Sequence, residues 1–282
     1  MHRGLALLAV PLVAVAASSA RLASAADAAS PPRPAYMVGD TVEDFSLKLV
    51  GGGEFKLSEA RKIDDAKAWA SVVAAAKEVY GADLKAGDAT AFDALPGGKT
   101  ADGKVDEEKR AAFARAAMRP FGMLPGDKAL SEWAGPADVA KAIVAAAGAP
   151  IVVYCWYSHC PTSQLYEERF ELLAKETGCR VFPMNTKSTE KDEAILAYAK
   201  EKKFPFAVLD DRDLVVSDRL GGRKTPHTFL LDGKNVLRYA GAVDNDAPLS
   251  LPEAQRATWL KDAVVAVAAG KGVKVLQTSP EG

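Results

Sequence analysis

The stretch that most constrains the fold is residues 151–178, IVVYCWYSHCPTSQLYEERFELLAKETG, because it joins an apolar strand directly to a helix. IVVYCWY is apolar without alternation, which is typical of a strand buried on both faces in a parallel sheet. Pro161 suits the first turn of a helix, and Gly178 suits its end. The residues at core spacing on this predicted helix are Leu165, Tyr166, Phe170, Leu172 and Leu173. Cys160 is therefore predicted at the helix N-terminus.

The rest of the C-terminal half alternates strands with helices. CRVFPMNT predicts a strand, EKDEAILAYAKEKK a helix and FAVLDD a third strand. TPHTFLLDGKNVLRYAGAV predicts two strands with a turn at Asp232-Gly233, and residues 251–270 predict a final helix. This order of elements indicates an α/β sheet covered by helices on both faces.

The first 25 residues have the composition of a secretory signal peptide. His2 and Arg3 precede an apolar run, and Ala23-Ser24-Ala25 has the small-x-small pattern of a cleavage site. A membrane anchor is a weaker interpretation because Pro11 interrupts the run, which is shorter than the roughly 20 residues that a spanning helix needs. We expect a periplasmic or secreted protein without a membrane segment after cleavage.

Between the signal and the α/β region, the sequence predicts three further segments. Residues 26–35 are an irregular lead-in, and 36–60 form a β-hairpin around Gly51-Gly52-Gly53. Residues 61–135 are alanine-rich and helical, and 136–282 form the main domain. The apolar face predicted for the first long helix contains Ile63, Ala66, Trp69, Val73 and Ala76.

Charge and cysteine content narrow the functional classes. The chain has 36 basic and 37 acidic residues, which give a net charge of −1. Because it has no excess of positive charge to attract a polyanion, nucleic acid is not an expected partner. Its three cysteines are Cys155, Cys160 and Cys179. Because this number is odd, at least one thiol stays outside any internal disulfide.

The quoted motifs resemble the thioredoxin-like redoxin family, in the branch of alkyl hydroperoxide reductases and thiol-specific antioxidant proteins. IVVYCWYSHCPTS aligns without gaps on the thioredoxin active-site turn, with Cys160 on the first active cysteine and Ser163 on the second. Thr225-Pro226 resembles the cis-proline loop. The resemblance covers residues 36–60 and 136–282 and implies a thioredoxin-like fold with a helical insertion after the N-terminal hairpin.

Several positions depart from the family pattern. Tyr157 stands where typical peroxiredoxins have threonine or serine, and Pro226 lies near the position of their arginine. Tyr154 stands where thioredoxins keep a buried acid, and Ser163 replaces the second thiol. These differences favour chemistry with one sulfur.

Candidate roles follow for the residues around Cys160. A thiol at a helix N-terminus meets unpaired N–H groups and the positive end of the dipole, which favour the thiolate. His159 and His227 are expected to add positive charge, and Ser163 to hydrogen-bond the sulfur. The resemblance implies a substrate groove at Trp156, Thr225, Pro226 and His227. Trp156 is expected as a core wall of the groove rather than a stacking surface, and the sequence leaves open whether His227 points into the groove. Cys155 and Cys179 are expected in the core.

Three functions stay open at the level of sequence. The first is an exported oxidoreductase, without cofactor or metal, in which Cys160 attacks a peroxide or a disulfide and an external thiol or thioredoxin-like protein resolves the product. The second is a copper-binding, chaperone-like module using Cys160, His159 and His227, with Gln164 in place of a second cysteine. The third is a redox-inactive binding protein, which an exposed apolar face on residues 61–135 would favour.

Overall fold

A computed structural model describes residues 35–280 of the 282-residue chain. The predicted signal peptide and nearly all of the lead-in lie outside the described residues. The strands in the described part form one mixed sheet in the order β2-β1-β5-β4-β3-β6-β7. They are β1 Ser46–Leu49, β2 Glu54–Lys56, β3 Ile151–Trp156, β4 Arg180–Asn185, β5 Leu209–Asp210, β6 Thr228–Leu231 and β7 Leu237–Gly241.

The helices precede β3 as a group and then alternate with the strands. Those of the first group are α1 Leu57–Ala60, α2 Asp65–Tyr80, α3 Glu107–Met118, α4 Asp127–Glu132 and α5 Pro136–Ala145, with 3₁₀ turns at Phe92–Ala94 and Arg119–Phe121. The later ones are α6 Pro161–Thr177, α7 Asp192–Glu201, α8 Val215–Leu220 and α9 Trp259–Ala268, with a 3₁₀ turn at Glu253–Gln255. Within residues 35–280, no helix has both the length and the apolarity to cross a membrane.

The centre of the sheet is buried on both faces. β3 runs parallel to β4 over six residue pairs, from Ile151 with Arg180 to Trp156 with Asn185, and antiparallel to β6. Alternate side chains of β3 pack into two cores, since Tyr154 faces α6, α7 and α9 while Val153 faces the hairpin and α8. This mixed α/β arrangement, with helices between the hairpin and β3, confirms the predicted fold class.

The alanine-rich helices form a core of their own. Tyr80, Phe92 and Phe113 contact one another there, and their ring centroids are 5.3–6.5 Å apart. The buried face of α2 differs from the prediction. It contains Ala68, Val72, Ala75, Ala76 and Tyr80, whereas Ala66 is exposed. The helix begins after Asp64, whose side chain accepts a hydrogen bond from the Lys67 N–H at 2.8 Å, so the predicted Ile63 is buried from outside the helix. The packing of Tyr80 in this core turns the Val72 and Ala76 side of α2 inward.

Two other helices differ from the prediction. Leu165 and Leu172 of α6 are 51% and 47% exposed, because Tyr166, Phe170 and Leu173 fill the core face. The final helix is shorter than 251–270, because the carboxylate of Asp246 holds the preceding segment as a loop. It accepts hydrogen bonds from the N–H groups of Ser250 at 2.7 Å and Leu251 at 3.0 Å.

Arg180, at the start of β4, connects the sheet to the helices before it. The side chain is 1% exposed, and its guanidinium donates to the carbonyl oxygens of Ala60, Phe121 (2.8 Å) and Ala147 (3.4 Å). Burial lowers the pKa of this guanidinium to about 9. These bonds satisfy carbonyl groups at the ends of three separate segments.

We expect Arg180→Met to destabilise the protein by about 3 kcal/mol, because methionine fills a similar volume but leaves buried carbonyl groups without donors. The measurement is urea unfolding at pH 7. Arg119→Met is the control, since it removes an exposed guanidinium from the neighbouring segment. Equal losses in the two variants would contradict the connecting role of Arg180.

Candidate functional site

The sulfur of Cys160 lies at the N-terminus of α6, where the sequence predicted it. It accepts a hydrogen bond from the Ser163 N–H at 3.4 Å and lies 3.0 Å from the Thr225 Oγ1 and 3.6 Å from the Thr225 carbonyl oxygen. The residue is 5% exposed. The sulfur is therefore held between a helix terminus and the loop that precedes β6.

Local sequence explains why the helix begins there. Strand β3 ends at Trp156, and the turn that follows is closed by a hydrogen bond from the Cys160 N–H to the Tyr157 carbonyl at 3.1 Å. Pro161 occupies the first helical position, where its missing N–H costs nothing. Gln164 reaches back and donates from Nε2 to the Ser158 carbonyl at 2.7 Å. The turn is thus fixed at both ends.

The second wall of the site comes from β6. Because β6 is antiparallel to β3, with Tyr154 opposite Thr228, the segment before β6 lies beside the end of β3. The Thr225-Pro226 peptide bond is cis, as the sequence predicted, and Pro226 is buried while Thr225 is partly exposed. Thr225 therefore presents both its hydroxyl and its carbonyl to the sulfur.

The environment of Cys160 favours its thiolate. Burial by itself raises the pKa of the thiol, but contacts with Ser163, Thr225 and Tyr157 outweigh burial and lower the pKa below its ordinary value. The N-terminal end of a 17-residue helix supplies the same kind of stabilisation. Cys160 can therefore act as a nucleophile nearer neutral pH than an ordinary cysteine.

The other two cysteines have the opposite character. Cys155 and Cys179 are free and buried, at 3% and 1% exposure, and burial raises the pKa of each thiol to about 12. Cys155 shares its sheet face with Ile151 and Val153, as predicted. Both thiols are core side chains.

Ser163 lies against the Cys160 sulfur, whereas His159 contacts other groups. The backbone N–H of Ser163 donates to the sulfur, and its buried side chain also lowers the pKa of Cys160. The His159 side chain is 71% exposed, and its Nδ1 contacts Ser158 Oγ at 2.7 Å and Glu190 Oε1 at 3.1 Å.

His227 and Trp156 are buried rather than exposed in a groove. His227 is 5% exposed against the ring of Phe229, with centroids 4.4 Å apart. Burial, aided by the charge of Arg223, lowers the pKa of His227 to about 4, so the expected positive charge is absent at neutral pH. Trp156 is fully buried and stacks on Phe204. Its side chain therefore supports the site from the core and exposes no surface that a substrate could contact.

Sequence reasoning missed the polar cluster behind the turn. Glu190, in the loop after β4, accepts hydrogen bonds from Ser158, His159 and Asn185. These residues are 5 to 32 positions away from Glu190, and no spacing in the sequence connects them. The available signal was the position of Asn185 and Glu190 at and after the end of a buried strand, the same edge of the sheet as Cys160.

Comparisons with known proteins agree with the predicted resemblance. Residues 135–257 match the family described as Redoxin. The thiol:disulfide interchange protein DsbE of Escherichia coli is 34% identical over 110 residues, which cover 39% of this chain and 58% of the relative. The protein of the same name from Haemophilus influenzae is 32% identical over 100 residues, covering 34% and 54%. The chain thus spans little more than half the length of these curated relatives.

A solved structure shows the likeness in fold. The crystal structure of an uncharacterized conserved protein from Geobacillus kaustophilus has a TM-score of 0.50 at 14% identity, and the match covers 86% of this chain and 88% of that one. Together with the redoxin match, this likeness confirms the thioredoxin-like interpretation of the sequence.

We expect one thiol of the native protein, that of Cys160, to be alkylated by iodoacetamide. The rate should fall as the pH drops through a midpoint below 9, because the lowered pKa keeps the thiolate populated only above that midpoint. Mass spectrometry of the labelled protein is the measurement. Cys160→Ser should abolish the labelling, and labelling of Cys155 or Cys179 without denaturant would contradict their place in the core.

Thr225→Val should raise the midpoint of Cys160 alkylation by about one pH unit, because a hydrogen bond to a charged group contributes about 1.5–3 kcal/mol before solvent screening. Thr162→Val is the matched control, since it removes a hydroxyl from the first turn of α6 and leaves the contacts of the sulfur in place. An unchanged midpoint in Thr225→Val would show that this hydroxyl does not stabilise the thiolate.

Proposed function

We propose that this chain, whose residues 135–257 match the Redoxin family, is a thiol–disulfide oxidoreductase that works with a single sulfur, that of Cys160. The observation that carries the proposal is the position of this sulfur. It lies at the N-terminus of α6, within 3.0 Å of the Thr225 hydroxyl, with a lowered pKa. The relatives named for thiol:disulfide interchange support the same reaction class.

The proposed reaction is an exchange in two steps. The Cys160 thiolate attacks one sulfur of a substrate disulfide and forms a mixed disulfide, while the second substrate sulfur leaves as a thiolate and takes up a proton. An external thiolate then attacks the substrate sulfur of the mixed disulfide, forms a new disulfide and releases the Cys160 thiolate. Thr225 and Pro226 would hold the substrate beside the sulfur, as cis-proline segments do for extended chains.

Disulfides suit this site better than peroxides. A peroxide would oxidise Cys160 to a sulfenic acid and leave as water or an alcohol, a step that a nearby cation assists by stabilising the departing oxygen. Among residues 35–280, the hydrogen-bonding partners of the sulfur are Ser163, Thr225 and Tyr157, and none of them is a cation. Peroxide reduction is therefore the second substrate class of the proposal.

The copper-binding and binding-protein interpretations receive less support. Over the described residues, no three or more His, Cys, Asp or Glu side chains form a group that would hold a metal ion, and His227 packs against Phe229. The exposed large apolar side chains of the described part lie outside residues 61–135, so the apolar face that would favour a binding protein is not seen there. A lowered thiol pKa favours retained chemistry instead.

We also propose that the protein is exported to the periplasm or secreted. The support is the signal-like composition of residues 1–25. In such an oxidising compartment disulfide substrates persist, and the resolving thiol would come from a small molecule or a thioredoxin-like protein.

The test uses oxidised glutathione as the probe disulfide. We expect the wild-type protein to form a 1:1 mixed disulfide with glutathione at Cys160, stable until an external thiol is added. Cys160→Ser should form none. Intact-protein mass spectrometry follows the adduct over time, and absence of an adduct in the wild type would overturn the proposal.

Ser163→Cys is the complementary variant, since residue 163 stands in the place of the second thiol in CxxC enzymes. We expect this variant to lose the glutathione adduct by internal attack and to form a Cys160–residue 163 disulfide. Persistence of the adduct in this variant would show that the site does not keep the geometry of a dithiol enzyme.

A further inference from the structure

The polar cluster behind the active-site turn is built around the carboxylate of Glu190. The Glu190 side chain is 6% exposed. It accepts hydrogen bonds from the Ser158 N–H at 3.3 Å, the Ser158 hydroxyl, Asn185 Nδ2 and His159 Nδ1 at 3.1 Å. Three of these four donor groups belong to Ser158 and His159, in the turn between β3 and Cys160. The carboxylate therefore fixes the position of the turn that leads to Cys160.

The backbone of Glu190 is fixed by a second set of polar contacts, through Arg212. Its carbonyl oxygen accepts a hydrogen bond from Arg212 Nη1 at 2.8 Å, and Arg212 is fixed in turn by Asp210 at 2.6 Å and Asp192 at 2.7 Å. Asn185 is fully buried at the end of β4. The Glu190 carboxylate is thus a hydrogen-bond acceptor whose position is fixed by residues at the ends of β4 and β5.

The contacts determine which nitrogen of His159 carries the proton. Burial raises the pKa of Glu190, but hydrogen bonds from Ser158, His159 and Asn185 lower it overall, so the group is a carboxylate and only accepts. The single hydroxyl hydrogen of Ser158 is donated to Glu190. Ser158 Oγ and Glu190 Oε1 then both face His159 Nδ1 as acceptors, which requires a proton on Nδ1. In the neutral ring Nε2 is therefore unprotonated.

We propose that Glu190 is a positioning residue that holds His159 in this tautomer, with Nε2 as the base for the thiol that resolves the mixed disulfide. This inference rests on the proposed function. With Ser163 in place of a second cysteine, the resolving thiol arrives from solution and carries its proton. His159 Nε2 takes that proton, the resulting thiolate attacks the mixed disulfide, and the imidazolium returns the proton to water.

The same geometry separates the two steps of exchange. The groups that stabilise the Cys160 thiolate by hydrogen bonds belong to Ser163, Thr225 and Tyr157 and not to His159. Formation of the mixed disulfide thus depends on the helix terminus and the cis-proline loop, whereas its resolution depends on His159. A change at Glu190 should slow the second step and spare the first.

The first readout is the tautomer of His159, measured by ¹⁵N NMR of imidazole-labelled protein. The chain has three histidines, and a His159→Gln spectrum identifies the signal of interest. We expect protonated Nδ1 in the wild type and a shift toward protonated Nε2 in Glu190→Gln. Protonated Nε2 in the wild type would overturn the proposal.

The second readout compares two rates in each variant. Glu190→Gln should slow release of the glutathione adduct by reduced glutathione about tenfold, less than the roughly 10²–10⁴-fold that a positioned base typically contributes, and should change Cys160 alkylation less than about twofold. His159→Gln should cause a similar loss, and the double variant should add little, because the two residues act as a unit. Glu193→Gln, which removes an exposed carboxylate three residues away, should resemble the wild type.

The outcomes separate this proposal from the proposed function. Equal slowing of alkylation and adduct release in Glu190→Gln would mean that Glu190 only shapes the turn, and the proposal would fail while Cys160 exchange stood. A wild-type protein that forms no glutathione adduct would overturn both. A normal release rate in Glu190→Gln together with a shifted tautomer would overturn the role of His159 alone.

Discussion

The parallel pairing of β3 with β4 is the constraint on which the candidate site depends. Six consecutive residue pairs fix the two strands in one register, and both strands end at the same edge of the sheet. The chain leaving β3 forms the turn of Cys160, and the chain leaving β4 forms the loop of Glu190. A slip of one residue would turn every side chain of a strand to the other face and separate the two loops from their partners.

The direction of α6 depends on a second polar contact, buried beneath the helix. Trp156 Nε1 donates to Glu167 of α6 at 3.0 Å, and the Tyr198 hydroxyl of α7 donates to the same carboxylate at 2.9 Å. Burial is the main cause that raises the pKa of Glu167. This contact joins the end of β3 to both helices on that face. The contacts of Glu167 with Trp156 and Tyr198 therefore help to set the direction of α6 and the position of the Cys160 sulfur at its N-terminus.

Local patterns in the sequence were sufficient for most of the elements and for the position of Cys160 at a helix N-terminus. The apolar run of β3, Pro161 at the start of α6 and the turn at Asp232-Gly233 each act over a few residues, so their signals survive without a structure. The same patterns gave the wrong burial for Leu165, because leucines at helical spacing fit two neighbouring stripes equally well. The larger aromatic side chain of Phe170 decides which stripe faces the sheet.

Long-range polar contacts could not be predicted in this way. Arg180 bonds to Ala60 across 120 positions, and Ser158 to Glu190 across 32, so neither contact leaves a periodic signal. Helix α8 was missed for a local reason. It has only six residues and follows Leu214, whose φ of 60° lies in a region that leucine rarely adopts.

The replacement of the second thiol by Ser163 has different consequences for the two steps of exchange. The backbone N–H of residue 163 donates a hydrogen bond to the Cys160 sulfur that any residue other than proline supplies, and the Ser163 side chain also lowers the pKa of Cys160. Stabilisation of the Cys160 thiolate therefore survives the loss of the second thiol. What is lost is the internal attack that would release a bound substrate. In the proposed exchange, a single-sulfur site would keep its mixed disulfide until a thiol arrives from outside, so proton transfer from that incoming thiol would become the step on which the surrounding side chains act.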